Sequence, residues 1–258
     1  MNDLRRALIQ IVYLNKAFIR SPIAAFFTLV FPIMFLVIFS VLFGNGKMPI
    51  APGVTISVAT FYVPSIAAFS VITACYTNIA ISLSIARDTG ALKRIRGSPL
   101  PVWAYMFAKI THSVLIAVLL VAICAAFGAV FYGATLPTTT LPAFLLALVV
   151  GAATFCALGV AVTSVIPTSD AAPAIVNASV LPLLFISNVF VPLNNPLPAW
   201  LELVSKSFPI RHFADALVKS FFQLSGSGLQ TNDLLVIGAW GVAGLVVAIR
   251  YFDWEPRK

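Results

Sequence analysis

Residues able to do acid–base, nucleophilic or metal chemistry are few in this chain and widely scattered. Eight Asp and Glu, two His and three Cys are spread over 258 residues. His112 and His212 are far apart, and Cys75, Cys124 and Cys156 stand singly in apolar runs without a CxxC pair. No metal site or disulfide framework is therefore expected, only small buried thiols. The Walker A, HExxH and GxSxG patterns are missing from the sequence, so no catalytic residue is assigned and ATP hydrolysis is not expected of this chain. Asp170 is the sole acid between two neighbouring apolar runs, where it reads as a solvated or capping carboxylate at a membrane rim.

Two groups of residues hold more information. The first is a basic loop, Arg87-Asp-Thr-Gly-Ala-Leu-Lys-Arg-Ile-Arg-Gly-Ser-Pro-Leu-Pro101. Leu92 and Ile95 are spaced as on one face of a short helix, with Lys93, Arg94 and Arg96 pointing elsewhere. Asp88 stands near its start, where the helix dipole favours a carboxylate, and the Ser98-Pro99-Leu100-Pro101 run ends it. The second group is uncharged and polar within apolar runs. Ser70, Thr73, Thr77 and Ser84 fall within about 60° of one another on a helix, and Asn177 and Asn188 share a face. Such faces meet another helix or a water-accessible path, since lipid leaves them unpaired. Interhelical bonding and a substrate pathway both fit; Ser70, Thr73, Thr77, Asn177 and Asn188 are the pathway candidates. Ala153, Ala157 and Ala161 form a ridge of small residues suited to close packing.

These residues need a scaffold, and composition sets its class. Hydrophobic residues make up 60% of the chain and charged residues 9%, with a mean hydropathy of +1.02. Soluble domains carry roughly 25% charged residues, so the expected class is an all-α membrane protein. Six transmembrane spans are expected, at 23–43, 58–86, 105–131, 141–166, 171–191 and 234–252, each reaching the roughly 20 residues a crossing requires. The net charge of +8 would suggest nucleic acid in a soluble protein. Here position explains it better. Twelve of the sixteen Lys and Arg lie in the leader, the loop after span two with the start of span three, and the C-terminus. That bias places both termini in the cytoplasm. In the leader, residues 1–22, Leu8, Ile11, Val12, Phe18 and Ile19 fall within about 80° of Leu4, opposite Arg5, Arg6, Lys16 and Arg20. An interfacial amphipathic helix is expected, with Asn15 and Ile9 breaking the pattern. Between spans five and six, Pro198 and Pro209 can each open a short helix. Leu197, Trp200, Leu201 and Val204 would line one, and Phe213, Leu217 and Phe221 the other. No internal repeat is evident, which disfavours an inverted-repeat transporter.

The loop motif Arg87-Asp88-x-Gly90-x-Leu92-x-Arg94, followed by Ser98-Pro99-Leu100, resembles the first cytoplasmic loop of type-2 ABC transporter permeases. A second likeness lies in Ile186-Ser-Asn-Val-Phe-Val-Pro192-Leu193, Leu197-Pro198-x-Trp200-Leu201, Phe208-Pro209 and Ala216-Leu217, which resembles the outer helices of that family. The resemblance implies that residues 87–101 form a coupling helix seated in a groove of a cytoplasmic ATPase, through Arg87, Asp88, Gly90, Leu92, Lys93, Arg94 and Arg96. Asp88 stands where Glu is usual, Ala91 where Thr is common and Lys93 where an acid is common; the basic character is similar to the drug-resistance branch. Further implications are re-entrant outer helices at 192–224 and a second permease subunit, identical or related, in the plasma or inner membrane. ATP and Mg would sit on the partner ATPase, with no cofactor on this chain. A span set almost without charge points to a drug or lipid as exported cargo. The alternatives are a polysaccharide or glycolipid exporter of the same family, a six-span membrane enzyme acting on lipids, and a scaffold.

Overall fold

Backbone amides within hydrocarbon have no water to bond, so long apolar runs must close their hydrogen bonds within a helix. The computed structural model describes residues 3–43, 46–51, 54–98, 100–187, 189–190, 198–222 and 228–255. Among these residues, α1 (Asp3–Ile19) and α2 (Pro22–Phe43) come first. A hairpin of β1 (Lys47–Ala51) and β2 (Val54–Ser57) follows, antiparallel, with Lys47 opposite Ser57 and Met48 opposite Ile56. The all-α expectation is corrected by this hairpin, whose signal in the sequence is a Pro52-Gly53 dipeptide between two short runs. Ser57 then caps α3 (Val58–Ile72), its hydroxyl accepting the Thr60 N–H at 3.1 Å.

A π-helical turn, Thr73–Thr77, joins α3 to α4 (Asn78–Asp88), so that Val58–Asp88 is one rod of 31 residues. Beyond it come α5 (Ala91–Arg96), α6 (Val102–Tyr132), α7 (Leu141–Val162), α8 (Ala172–Phe185), α9 (Ala199–Ser207), α10 (Pro209–Phe221) and α11 (Thr231–Tyr251). Among the described residues, five helices are long and apolar enough to cross a membrane: Ala25–Phe43, Val58–Asp88, Val102–Tyr132, Leu141–Val162 and Thr231–Tyr251. The expected span at 171–191 is represented by α8, whose 14 residues reach only about 21 Å. The span expected at 141–166 stops at Val162. Thr163 to Ile166 tighten into successive i→i−3 bonds ahead of Pro167, which ends the helix.

The core centres on α3, where every residue except Thr60 is buried beneath α2, α6, α7 and α10. Lipid is as apolar as leucine, so such helices are held by close packing rather than by the hydrophobic effect. Glycines supply the contact between α7 and α11. A Cβ at Gly241 would lie 2.6 Å from the Thr154 hydroxyl, and one at Gly244 would lie 2.9 Å from Leu158. The Thr154 hydroxyl also donates to the Ile237 carbonyl at 3.1 Å. The alanine ridge packs in part: Ala161 is buried, Ala157 is half-buried with its backbone against Gly244, and Ala153 is exposed. Approach is set by the glycines of the facing helix, which the pattern on α7 alone does not reveal.

The bundle has two distinct ends. At one, the end of α4 bonds the turn after α7, and Phe252 and Trp254 share an apolar cleft with Met106 and Ile110 of α6. At the other, the Tyr62 hydroxyl donates to the Phe190 carbonyl at 3.1 Å and Thr140 bonds the Ser220 carbonyl. Phe213, Leu217 and Phe221 of α10 are buried as a stripe, as expected. On α9 the expected stripe divides, with Trp200 exposed and Leu201 and Val204 half-buried; Leu197 lies outside the described residues.

Candidate coupling segment and polar cavity

The segment 87–98 is built on a helix stop. Thr89 ends α4, and Gly90 adopts φ +68°, a left-handed conformation open to glycine at little cost. The chain turns there and α5 begins, with the Arg94 N–H bonding the Gly90 carbonyl at 3.1 Å.

Arg87 faces inward and is only 2% exposed. Its guanidinium donates to the carbonyls of Thr163 at 3.0 Å, Ile166 at 2.8 Å and Pro167 at 3.3 Å. These follow the last turn of α7, where helix carbonyls lack intrahelical partners and the dipole is negative. The remaining Nε meets the Asp88 carboxylate at 3.3 Å, and that carboxylate accepts the Ser169 N–H in turn. Two adjacent side chains thus bind the whole turn from α7 to α8. Leu92 is fully buried beneath α5. Of the seven residues assigned to ATPase contact, Arg87, Asp88 and Leu92 brace the segment from within, and Gly90 shapes its backbone. Lys93, Arg94 and Arg96 remain on the outer surface, all exposed. Asp88 closes α4 and bonds the turn ahead of α8, rather than serving the dipole of α5. A signal for Arg87 does exist in the sequence. Ala80, Leu83, Ser84 and Arg87 follow i, i+3, i+4, i+7 spacing, and all four are buried.

Ser70, Thr73 and Thr77 converge on a cavity of about 360 Å³. Leu14, Ala17 and Phe18 of α1 form one wall, and Phe27, Thr28 and Phe31 of α2 another. Asn78 extends the polar strip of the rod, while Lys109, His112 and Ser113 face it from α6. The strip is shaped by the π-turn: the Asn78 N–H bonds the Thr73 carbonyl five residues back, widening the helix. Gly159 of α7 lies against this backbone; a Cβ there would lie 2.8 Å from the Tyr76 carbonyl oxygen. Ser84 turns away from the strip and bonds its own helix at the Ala80 carbonyl. Asn177 is exposed on α8 and does not reach the cavity, and Asn188 lies outside the described residues.

Sequence reasoning missed Asn15. It broke the amphipathic pattern of α1 because its side chain meets Nδ1 of His112 at 2.7 Å, with Phe18 against the same ring edge-on. The apolar arc of α1 is shared between two surroundings. Ala7 is fully buried in the bundle, with Ile11, Leu14 and Phe18 half-buried, whereas Leu4, Leu8, Val12 and Ile19 stay exposed.

A bundle of apolar helices with a polar cavity between them, and a short basic helix braced at one end, has the build of a membrane transport protein. Residues 8–222 match the model of the ABC-2 type transporter family, and the chain belongs to that family. It is 28% identical over 177 residues to the protein of Escherichia coli K12 named "Probable multidrug ABC transporter permease YbhR", and equally to its counterpart in Escherichia coli O157:H7. The shared region covers 67% of this chain and 47% of each relative, so the chain spans about half the length of the curated relatives it matches.

Proposed function

We propose that this chain is the membrane subunit of an ATP-driven exporter, pairing with a second permease subunit, identical or related, and with cytoplasmic ATPases that hold the ATP and Mg. In this reading six passes place both termini in the cytoplasm of a plasma or inner membrane, α8 being the core of the fifth pass. The cargo is a hydrophobic or amphiphilic molecule, a drug or a lipid. The multidrug name of the Escherichia coli relatives supports that class, as does a cavity walled by phenylalanines and hydroxyls.

The observation that carries the reading is α5. It offers Lys93, Arg94 and Arg96 outward while Leu92 and Arg87 fix it from beneath, the form of a docking peg with a charged face. ATP binding on the partner would displace this peg, and the clamp would pass the movement to α7 and α8. The test is affinity capture of the tagged chain with its partner ATPase. Reversing two charges, Lys93→Glu with Arg94→Glu, should reduce captured ATPase by about tenfold or more, because opposed charges at an interface become like charges. Unchanged capture would remove α5 from the interface. For cargo, vesicles holding both subunits should expel a hydrophobic dye on ATP addition. Failure to move any amphiphile, with polymer export lost on deletion, would transfer the assignment to polysaccharide.

A further inference from the structure

We propose that the cavity between α1, α2, α3 and α6 is a binding site for an anionic amphiphile, whose phosphate or carboxylate pairs with Lys109 and whose hydrocarbon lies along Phe27 and Phe31. The proposal rests on reading this cavity as part of the cargo pathway, and it names the class of ligand.

Lys109 is the single formal charge in the 31 residues of α6. A cation within an apolar span is expensive unless it is paired or reaches water. Among the described residues no carboxylate lies within ion-pair distance of it, and no Asp or Glu lines the cavity. Snorkelling to the rim accounts for a lone lysine on a lipid-facing surface. Lys109 instead contributes to a chamber in which Thr28, Thr73, Thr77 and Asn78 supply uncharged polar groups. One cation amid hydroxyls and an amide is a receptor for a compact anion. A neutral ligand would leave the ammonium unpaired, and a zwitterion would need an acid that the cavity does not supply.

The apolar half of the ligand is accommodated on the same walls. Phe27 and Phe31 line the cavity and are also exposed on the outer surface of α2, so a hydrocarbon chain can run from the polar strip toward lipid. The α1 wall is fixed by the Asn15–His112 bond, and its exposed Arg5, Lys16 and Arg20 add positive potential that concentrates anionic amphiphiles nearby.

Binding is to be measured with the full chain in phosphatidylcholine nanodiscs, using fluorescent lysophosphatidylglycerol against the matched lysophosphatidylcholine. The anionic probe should bind about tenfold more tightly, and raised salt should narrow the gap. Lys109→Gln should abolish the preference and Lys109→Arg should keep it. Thr77→Leu, which fills the cavity, should weaken both probes. Equal affinities in the unaltered protein, or a preference that survives Lys109→Gln, would overturn the site. Adding the partner ATPase and ATP then separates two sources of the ligand. Movement of the bound anionic probe marks it as cargo; binding without movement marks a resident bilayer lipid. If no amphiphile, charged or neutral, is moved while the charge preference holds, the export reading falls and the site stands.

Discussion

An arginine at the end of an apolar helix lowers its energy either by extending to water or by finding carbonyls. Arg87 takes the second route, with donors on three main-chain oxygens and on Asp88. The planar fork of guanidinium suits this task, because its five N–H groups point in fixed directions. A lysine carries the same charge at one point and cannot meet all four acceptors. Arg87→Lys should therefore destabilise the protein by roughly 2–3 kcal/mol, the loss of charge-assisted bonds in a buried place. A thermal melt in detergent checks this, and an unchanged midpoint would contradict the clamp. The role of Arg87 was partly legible. The family resemblance put it in the docking surface, whereas its i, i+3, i+4, i+7 spacing with Ala80, Leu83 and Ser84 fits the inward face of α4 that it occupies. What the spacing could not supply was the partner, because the carbonyls of Thr163, Ile166 and Pro167 lie more than seventy residues away.

At the scale of elements, the π-turn within the Val58–Asp88 rod is packed closely against α7. Gly159 sits against the carbonyls of Cys75 and Tyr76, and nothing larger fits without moving backbone. Gly159→Ala should cost about 1–3 kcal/mol through overpacking. It should also reduce binding of any ligand that uses Thr73 and Thr77, since the wall carrying them must shift. Measuring stability and probe affinity on the same variant tests both effects; an alanine accepted without change in either would show that α7 does not shape the turn. Hydropathy was enough to place five long helices within a few residues, because length and apolarity are written locally. The π-turn was not legible. Its sequence, Thr-Ala-Cys-Tyr-Thr, suits an ordinary helix, and the neighbour packed against it, Gly159, lies more than eighty residues on. The end of α7 escaped for a similar reason: Val165 and Ile166 are apolar, but Pro167 and the clamp draw them out of the helix.

For the molecule as a whole, the exposed cations of α5 mark one end of the bundle. Lys93, Arg94 and Arg96 on α5 lie at the end of the bundle shared by the turn after α7 and by residues 252–254, opposite the hairpin and α10. The charge count could not show that α8 is a short helix. Cysteine labelling tests the arrangement well, because Cys75, Cys124 and Cys156 are all buried and free. A cysteine replacing Arg94 should react with a membrane-impermeant maleimide only in inside-out vesicles. One replacing Trp200, exposed on α9, should react only in right-side-out vesicles. Labelling of both positions from one side would rule out the six-pass reading.

The clamp around Arg87 and Asp88 has a mechanical consequence. Two helical hairpins that could otherwise slide independently are joined where their turns meet, so the bundle loses a degree of freedom at that end. A displacement applied to α5 is then shared by the Val58–Asp88 rod and by the turn leading into α8. Asn177, exposed on the first half of α8, is carried by an element whose leading turn is bonded to the end of α4.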